Sequence, residues 1–177
     1  MFRGIIISGT GGQGVVAAGE LLAEALFRAG YEVVNTRSYG AESRGGSSCS
    51  EVIVSDGEIH DLQIEEAEIL IAMSAQAYGQ FSGRIRAGGL VLVDVDVLQE
   101  LREGELRGDV ELVPVAAGEA SKRLGSIIVA NMVLLGALAK RAEFLTLDML
   151  KEAVEALMQP SMRGINLRAL EAGYASA

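Results

Sequence analysis

Gly9, Gly11 and Gly14 stand at G-x-G-x-x-G spacing within Gly9-Thr10-Gly11-Gly12-Gln13-Gly14, after an apolar run and before a helix-like run at 15–29. A strand that stops abruptly, a glycine turn and a helix N-terminus form a unit that can cradle an anion. Unpaired N–H groups and the positive end of the helix dipole converge there. A dinucleotide would also need an acid at the end of the second strand to hold ribose hydroxyls. The second strand is expected at 31–37, and its end carries Asn35, Thr36 and Arg37 with no carboxylate. Arg37 would suit an extra phosphate instead, as in NADP binders. Three readings stay open for the loop: a nucleotide phosphate, another anion or docking site, and glycines kept only for close packing.

A second donor-rich stretch runs from Ser38 and Tyr39 to Arg44, Gly45 and Gly46. Arg44 offers a planar fork that grips a carboxylate or phosphate through two N–H groups, unless it pairs with nearby Glu42. Both stretches follow the carboxyl ends of strands, so they belong on one edge of the sheet, where open α/β sheets bind ligands. Other candidates are sparse. His60 beside Asp61 reads as a surface histidine more readily than a general base. Asp94 and Asp96 end a strand and could bind hydroxyls or a metal, or cap a helix. Cys49, the single cysteine, reads as a small buried residue. Glu65 and Glu66 fall on different helical faces and read as solvated charge. With one His and one Cys, no usual zinc site forms. No residue is assigned a catalytic role.

The elements that must position these loops follow from periodicity. Short apolar runs at 67–73 and 90–94, with 110–115 as the last strand, read as buried strands. Residues 47–55 alternate and lead to Asp56-Gly57, a hairpin signal into Glu58 and Ile59. Ser74 is expected to cap a helix to about Arg86, and Ser126 an apolar helix over 127–141. Thr146 is expected to cap 147–158, with Leu147, Leu150, Val154, Leu157 and Met158 on one face. Pro160 breaks that pattern, leaving a turn or two of helix at 165–173. The sum is one α/β domain over 1–177: three layers, doubly wound, with a mostly parallel sheet, one antiparallel hairpin and a helical C-terminal region.

Composition bounds the setting. The chain has 177 residues, half of them hydrophobic, with 22 glycines and two prolines. Its mean hydropathy is +0.31 and its net charge −9, with no basic tract, which argues against nucleic acid as a partner. One cysteine excludes an internal disulfide and an iron–sulfur cluster on this chain. No signal peptide opens the sequence, and the longest apolar stretch, 127–139, falls short of the roughly 20 residues that span a bilayer. A cytoplasmic, soluble protein is expected, with exposed apolar surface favouring a partner, or a homodimer in isolation.

Three motifs together carry a family resemblance: GTGGQG after the first strand, SYGAESRGG after the second, and VANMVLLGAL at 129–138. The chain resembles the gamma subunit of 2-oxoacid:ferredoxin oxidoreductases. The 2-oxoglutarate type is nearest, with the pyruvate and branched-chain types next, and the likeness spans residues 4–173. The resemblance implies a complex that converts a 2-oxoacid, coenzyme A and oxidised ferredoxin to acyl-CoA, carbon dioxide and reduced ferredoxin. It implies thiamine diphosphate on alpha and beta chains, iron–sulfur clusters on beta or ferredoxin-like delta chains, and coenzyme A associated with gamma. The ligand residues implied are Gly9, Thr10, Gly11, Gly12, Gln13, Gly14, Ser38, Tyr39, Arg44, Gly45, Gly46 and Asn131. For Asn131, a bond across the sheet edge or to a partner competes with a satisfied core amide. Two readings compete with the subunit: a freestanding NADP-dependent dehydrogenase, and a purely structural assembly domain.

Overall fold

The protein is described here by a computed structural model covering residues 1–40 and 46–177. These residues form one six-stranded sheet and seven α-helices. The strands are β1 (Phe2–Thr10), β2 (Glu32–Tyr39), β3 (Ser47–Ser55), β4 (Ala67–Ala72), β5 (Ile85–Asp94) and β6 (Glu111–Val115). They lie in the order β2-β3-β1-β4-β5-β6. The helices are α1 (Val15–Arg28), α2 (Ala75–Phe81), α3 (Val95–Glu100), α4 (Ala117–Leu124), α5 (Ala130–Arg141), α6 (Leu147–Leu157) and α7 (Pro160–Ser176).

Alternation along β1 builds the three layers. Ile5 and Ile7 face a cluster with α1, α5, α6 and α7, while Ile6 faces a smaller one with Tyr78 and Phe81 of α2. Helices on both faces make the sheet doubly wound, as expected. β1, β4, β5 and β6 pair in parallel, and only β3 runs against its neighbours. The antiparallel partner differs from expectation. β3 does not fold back at Asp56-Gly57 onto 58–59; it pairs with β2 on one side and β1 on the other. Nor do β1, α1 and β2 form an adjacent parallel pair, because β3 is inserted between the two strands.

Other boundaries moved for local reasons. The helix after Ser74 stops at Phe81, followed by a 3-10 turn at Ser82–Arg84. Arg107 Nη1 donates to the carbonyls of Ser82 (2.6 Å) and Ile85 (2.5 Å), taking acceptors that a longer helix would need. β5 therefore starts at Ile85 and slips register against β4 at Gly88-Gly89, where Gly88 has φ 74°. Ser126 makes no side-chain cap; the β-branched Ile127–Val129 forms a 3-10 turn, and the α-helix begins at Ala130. Pro160 opens α7 at its first turn, where its missing N–H costs nothing, so 17 residues are helical rather than a terminal turn or two.

α5 and α7 approach closely because each has a glycine at the crossing. A Cβ on Gly136 would run into the Leu170 carbonyl, and one on Gly173 into that of Val133. Among the described residues, no helix is long and apolar enough to cross a membrane.

Candidate functional site

The loop from β1 to α1 is held by side-chain amides. Gln13 Oε1 accepts from the Thr10 N–H (2.7 Å), and its Nε2 donates to the Met73 carbonyl at the end of β4 (2.9 Å). Gly12 and Gly14 take left-handed backbone, at φ 90° and 73°. Gly14 is the N-cap of α1, with no side-chain cap and no acid in the first turn, so the helix's positive end is left uncompensated. Its carbonyl accepts from Ala18 N–H (3.0 Å) and from Asn131 Nδ2 (2.9 Å). Asn131 is buried, and its Oδ1 accepts from Met132 N–H (2.8 Å). The three motif glycines thus differ. A Cβ at Gly9 would strike Gln13 and press on Met73; one at Gly14 would lie 2.5 Å from Asn131 Nδ2; one at Gly11 would meet open space.

The second stretch reaches the same edge. Gly11 N–H donates to the Gly46 carbonyl (3.2 Å), and Gly40 N–H to that of Ser47 (2.7 Å). Arg44 and Gly45 lie outside the described residues. Ser38 and Tyr39 end β2 opposite Cys49 and Ser48, which in turn pair with Ser8 and Gly9. Two strand spacings place them about 10 Å from the glycine loop, across β3. Tyr39 is 70% exposed there. Arg37, the candidate for an NADP phosphate, instead pairs with Glu20 of α1 at 2.6 Å.

A third feature left little trace in the sequence. A crevice of about 310 Å³ opens at the carboxyl edge, where Gly12 and Gln13 after β1 face Met73 after β4. This is the switch point of the sheet: from β1 the chain crosses to β2 on one side, and β4 to β6 follow on the other. Asp94 and Gly118 are among the residues that line it. Asp94 Oδ1 caps α3 through Asp96 N–H (3.1 Å), and its Oδ2 accepts from Gly118 N–H (2.7 Å). Burial raises the Asp94 carboxyl above its ordinary range, against the opposing pull of those N–H groups. The Asp94-x-Asp96 pair was the one sequence signal for this feature. Its apolar rim, Ile127 and Ile128, reads as buried helix in sequence yet is exposed at 69% and 62%.

The remaining candidates stand apart. His60 is exposed and lies 3.9 Å from Glu58 rather than pairing with Asp61. Cys49 is buried in β3, where burial first, and Glu51 second, push its thiol up to about 11. Among the described residues, no three His, Cys, Asp or Glu side chains gather as a metal cage.

Residues 4–176 match the model of the pyruvate ferredoxin/flavodoxin oxidoreductase family. The chain belongs to that family. Subunit KorC of 2-oxoglutarate synthase from Methanothermobacter marburgensis is 37% identical over 98% of this chain and 95% of its own length. KorC from Methanocaldococcus jannaschii is 36% identical, over 98% and 93%. Among solved structures, the gamma subunit of a keto/oxoacid ferredoxin oxidoreductase from Geobacter sulfurreducens superposes with TM-score 0.85. It is 32% identical, over 99% of this chain and 98% of that one. The 2-oxoglutarate:ferredoxin oxidoreductase of Magnetococcus marinus, solved with 2-oxoglutarate, coenzyme A and succinyl-CoA, gives TM-score 0.88 at 27% identity. The match covers 99% of this chain and 31% of that one, so the whole fold recurs as one part of a longer polypeptide. The resemblance carried by the three motifs is therefore borne out, as is the α/β fold class.

Proposed function

We propose that this chain is the gamma subunit of an oxidoreductase acting on 2-oxoglutarate, and that its glycine-loop edge holds the phosphate end of coenzyme A. The observation that carries the second half is the joining of two loops on one sheet edge. Gly11 N–H donates to the Gly46 carbonyl, beside the uncompensated N-terminus of α1. In this reading Gly11, Gly12 and Gly14 present backbone, while Gln13 and Asn131 hold it in place. Thr10, Ser38 and Tyr39 border the site, Gly46 joins it from the second loop, and Arg44 and Gly45 are assigned to it from the sequence alone. The KorC relatives and the coenzyme A in the Magnetococcus structure support the choice of substrate and ligand.

The chemistry divides among chains. Thiamine diphosphate on the alpha and beta chains would supply the electron sink for decarboxylation, and clusters on the beta or delta chains would carry electrons to ferredoxin. This chain's lone, buried Cys49 does not fit cluster ligation, which takes four thiolates. Gamma's residues bind and orient: an anchored nucleotide raises the local concentration of the thiol that must meet the acyl intermediate.

The test is reconstitution. The isolated chain is expected to reduce neither ferredoxin nor a viologen dye with 2-oxoglutarate, and the complex to require it for coenzyme A-dependent turnover. Turnover by the isolated chain would overturn the division of labour. Arg44→Ala is expected to raise the Michaelis constant for coenzyme A about tenfold, the effect of one charge-assisted hydrogen bond. An unchanged constant would favour the assembly-domain reading. The NADP reading is weakened by the Arg37–Glu20 ion pair.

A further inference from the structure

The two edges of the sheet are finished differently. β6 is a five-residue edge carrying Pro114, which has no N–H to offer a further strand. β2, the other edge, runs for eight residues with no proline, no lysine and no bulge in its pairing with β3. Gly40 N–H donates to the Ser47 carbonyl in the same register that sets Tyr39 opposite Ser48. Bonded pairs alternate along an antiparallel ladder, so residues 32, 34, 36 and 38 spend their backbone groups on β3. Val33, Asn35, Arg37 and Tyr39 point theirs outward, where no described strand takes them up. Their side chains lie on the α1 face, in line with Val54, Val52, Ser50 and Ser48. A groove of about 540 Å³ opens on that face beside the edge, lined by Ala23, Phe27, Val33 and Leu157 and by the acids Glu20 and Glu24. Phe27 and Leu157 are exposed there. A long free edge beside exposed apolar groups is a template for another strand.

We propose that this strand is β2 of a second copy of the chain, paired antiparallel across a two-fold axis at Thr36 so that two sheets become one. The register follows from the chain itself. Outward residues must meet outward residues, which centres the axis on a single residue of β2. Centring on Thr36 engages all four outward residues: Val33 meets Tyr39 of the second copy, Asn35 meets its Arg37, and each pair exchanges two hydrogen bonds. Centring on Asn35 would set Tyr39 against Tyr31, outside the strand. The side chains agree with the first choice. Exposed Tyr39 of one copy comes to rest on Val33 of the other, an aromatic on a β-branched residue, and fills the apolar groove beside Phe27. Arg37 of each copy reaches the groove where the other presents Glu20 and Glu24, so opposite charges meet. Thr36 meets Thr36 on the opposite face, at the close spacing of a non-bonded pair. Such a surface is self-complementary, and one pairing closes the assembly. The paired strands run opposite ways, so the two glycine-loop edges point to opposite ends of the joint sheet, each loop separated from the seam by β3. The pairing does not depend on which ligand that loop holds.

The full-length chain is followed by sedimentation over a concentration series, alone and as the variants Thr36→Cys, Glu32→Cys, Arg37→Pro and Phe27→Lys. The parent is expected at twice its 18.6 kDa mass. On mild oxidation Thr36→Cys is expected to cross-link to its own copy, because the Cα separation of a non-bonded pair, about 4.5 Å, suits a disulfide. Glu32→Cys lies far from its counterpart across the seam and is expected to stay free, while buried Cys49 takes no part. Arg37→Pro removes an outward N–H that the monomer does not use, and Phe27→Lys puts a charge into the groove. Each is expected to weaken dimerisation about tenfold or more while keeping the circular dichroism of the parent. Phe27→Lys decides the matter if Arg37→Pro fails to fold. A parent that sediments as a monomer throughout the series would overturn the proposal. So would a dimer that keeps its strength in both variants, or one that cross-links through Glu32→Cys instead. In the reconstituted complex Thr36→Cys is expected to join two copies of this chain. A cross-link to a different subunit would give the edge to that partner and overturn the pairing as well.

Discussion

Asn131 and Gln13 both direct their amides at backbone rather than into open space, which recasts them from ligand contacts to positioning residues. Asn131→Ala removes the bond to the Gly14 carbonyl and leaves the buried Met132 N–H without its acceptor. A loss of about 1–3 kcal/mol in stability is expected. If the loop holds coenzyme A, the Michaelis constant for it rises as well, with kcat little changed. A stability loss with no kinetic effect would make Asn131 a core amide only. Cys49 gives a second test. Its thiol is raised from 9.0 to about 11, so the folded protein favours the neutral form. At pH 8 the native chain holds about 100-fold less thiolate than an ordinary cysteine, and alkylation by iodoacetamide should wait on unfolding. The sign for stability follows: the contribution is whole below pH 9 and fades as pH climbs toward 11, because the unfolded thiol ionises first. A serine at position 49 should remove that alkaline decline in urea midpoint.

At the scale of elements, the crossing of α5 and α7 is set by Gly136 and Gly173, each facing a carbonyl of the other helix. Gly136→Ala should cost about 1–3 kcal/mol or more in urea unfolding, since a methyl group forces the helices apart. Gly79→Ala in α2 is the contrasting case: nothing lies within 4 Å of its Cβ, and a gain of about 0.5–1 kcal/mol is expected. A Gly136 variant as stable as the parent would refute the close-packing account. What the sequence reveals tracks the range of the forces involved. β1, β4, β5 and β6 are legible because buried strands are short apolar runs, and Ser74 and Thr146 are legible as caps because the bond is local. The place of β3 between β2 and β1 is not, since pairing partners are chosen across the sheet. Arg107, which stops α2, is distant in sequence, as is Asn131 from Gly14, 117 positions away. The glycine loop is legible as spacing; the crevice is not, because segments after four different strands assemble it.

At the scale of the whole molecule, a net charge of −9 makes the response to acid a question of which carboxylates are held ionised by the fold. Asp109 is lowered, first by hydrogen bonds from Arg107, whose Nε and Nη2 donate at 2.8 and 2.5 Å. The same guanidinium ties the segment after α3 to the end of α2 through the Ser82 and Ile85 carbonyls. Asp94 shifts the other way, raised by burial. The signs therefore oppose. The depressed Asp109 contributes stability that is present above its unfolded value of 3.8 and is lost as pH falls through its lower folded value. The raised Asp94 opposes folding while ionised, and that opposition disappears as it protonates on the way down from its folded value. Urea midpoints should hold nearly level from pH 7 to about pH 5 and fall only below about pH 4, where the Asp109 pair is lost. Asp109→Asn is expected to lower the midpoint at pH 7 and to converge on the parent in acid, as pH falls through the lowered folded value of Asp109 and the pair is lost from the parent as well. Asp94→Asn should raise stability at pH 7 relative to its effect at pH 3, unless loss of the bonds to Asp96 and Gly118 outweighs the relief. A parent–Asp109→Asn gap that stays constant from pH 7 to pH 2 would show that Arg107 is anchored by the backbone carbonyls alone.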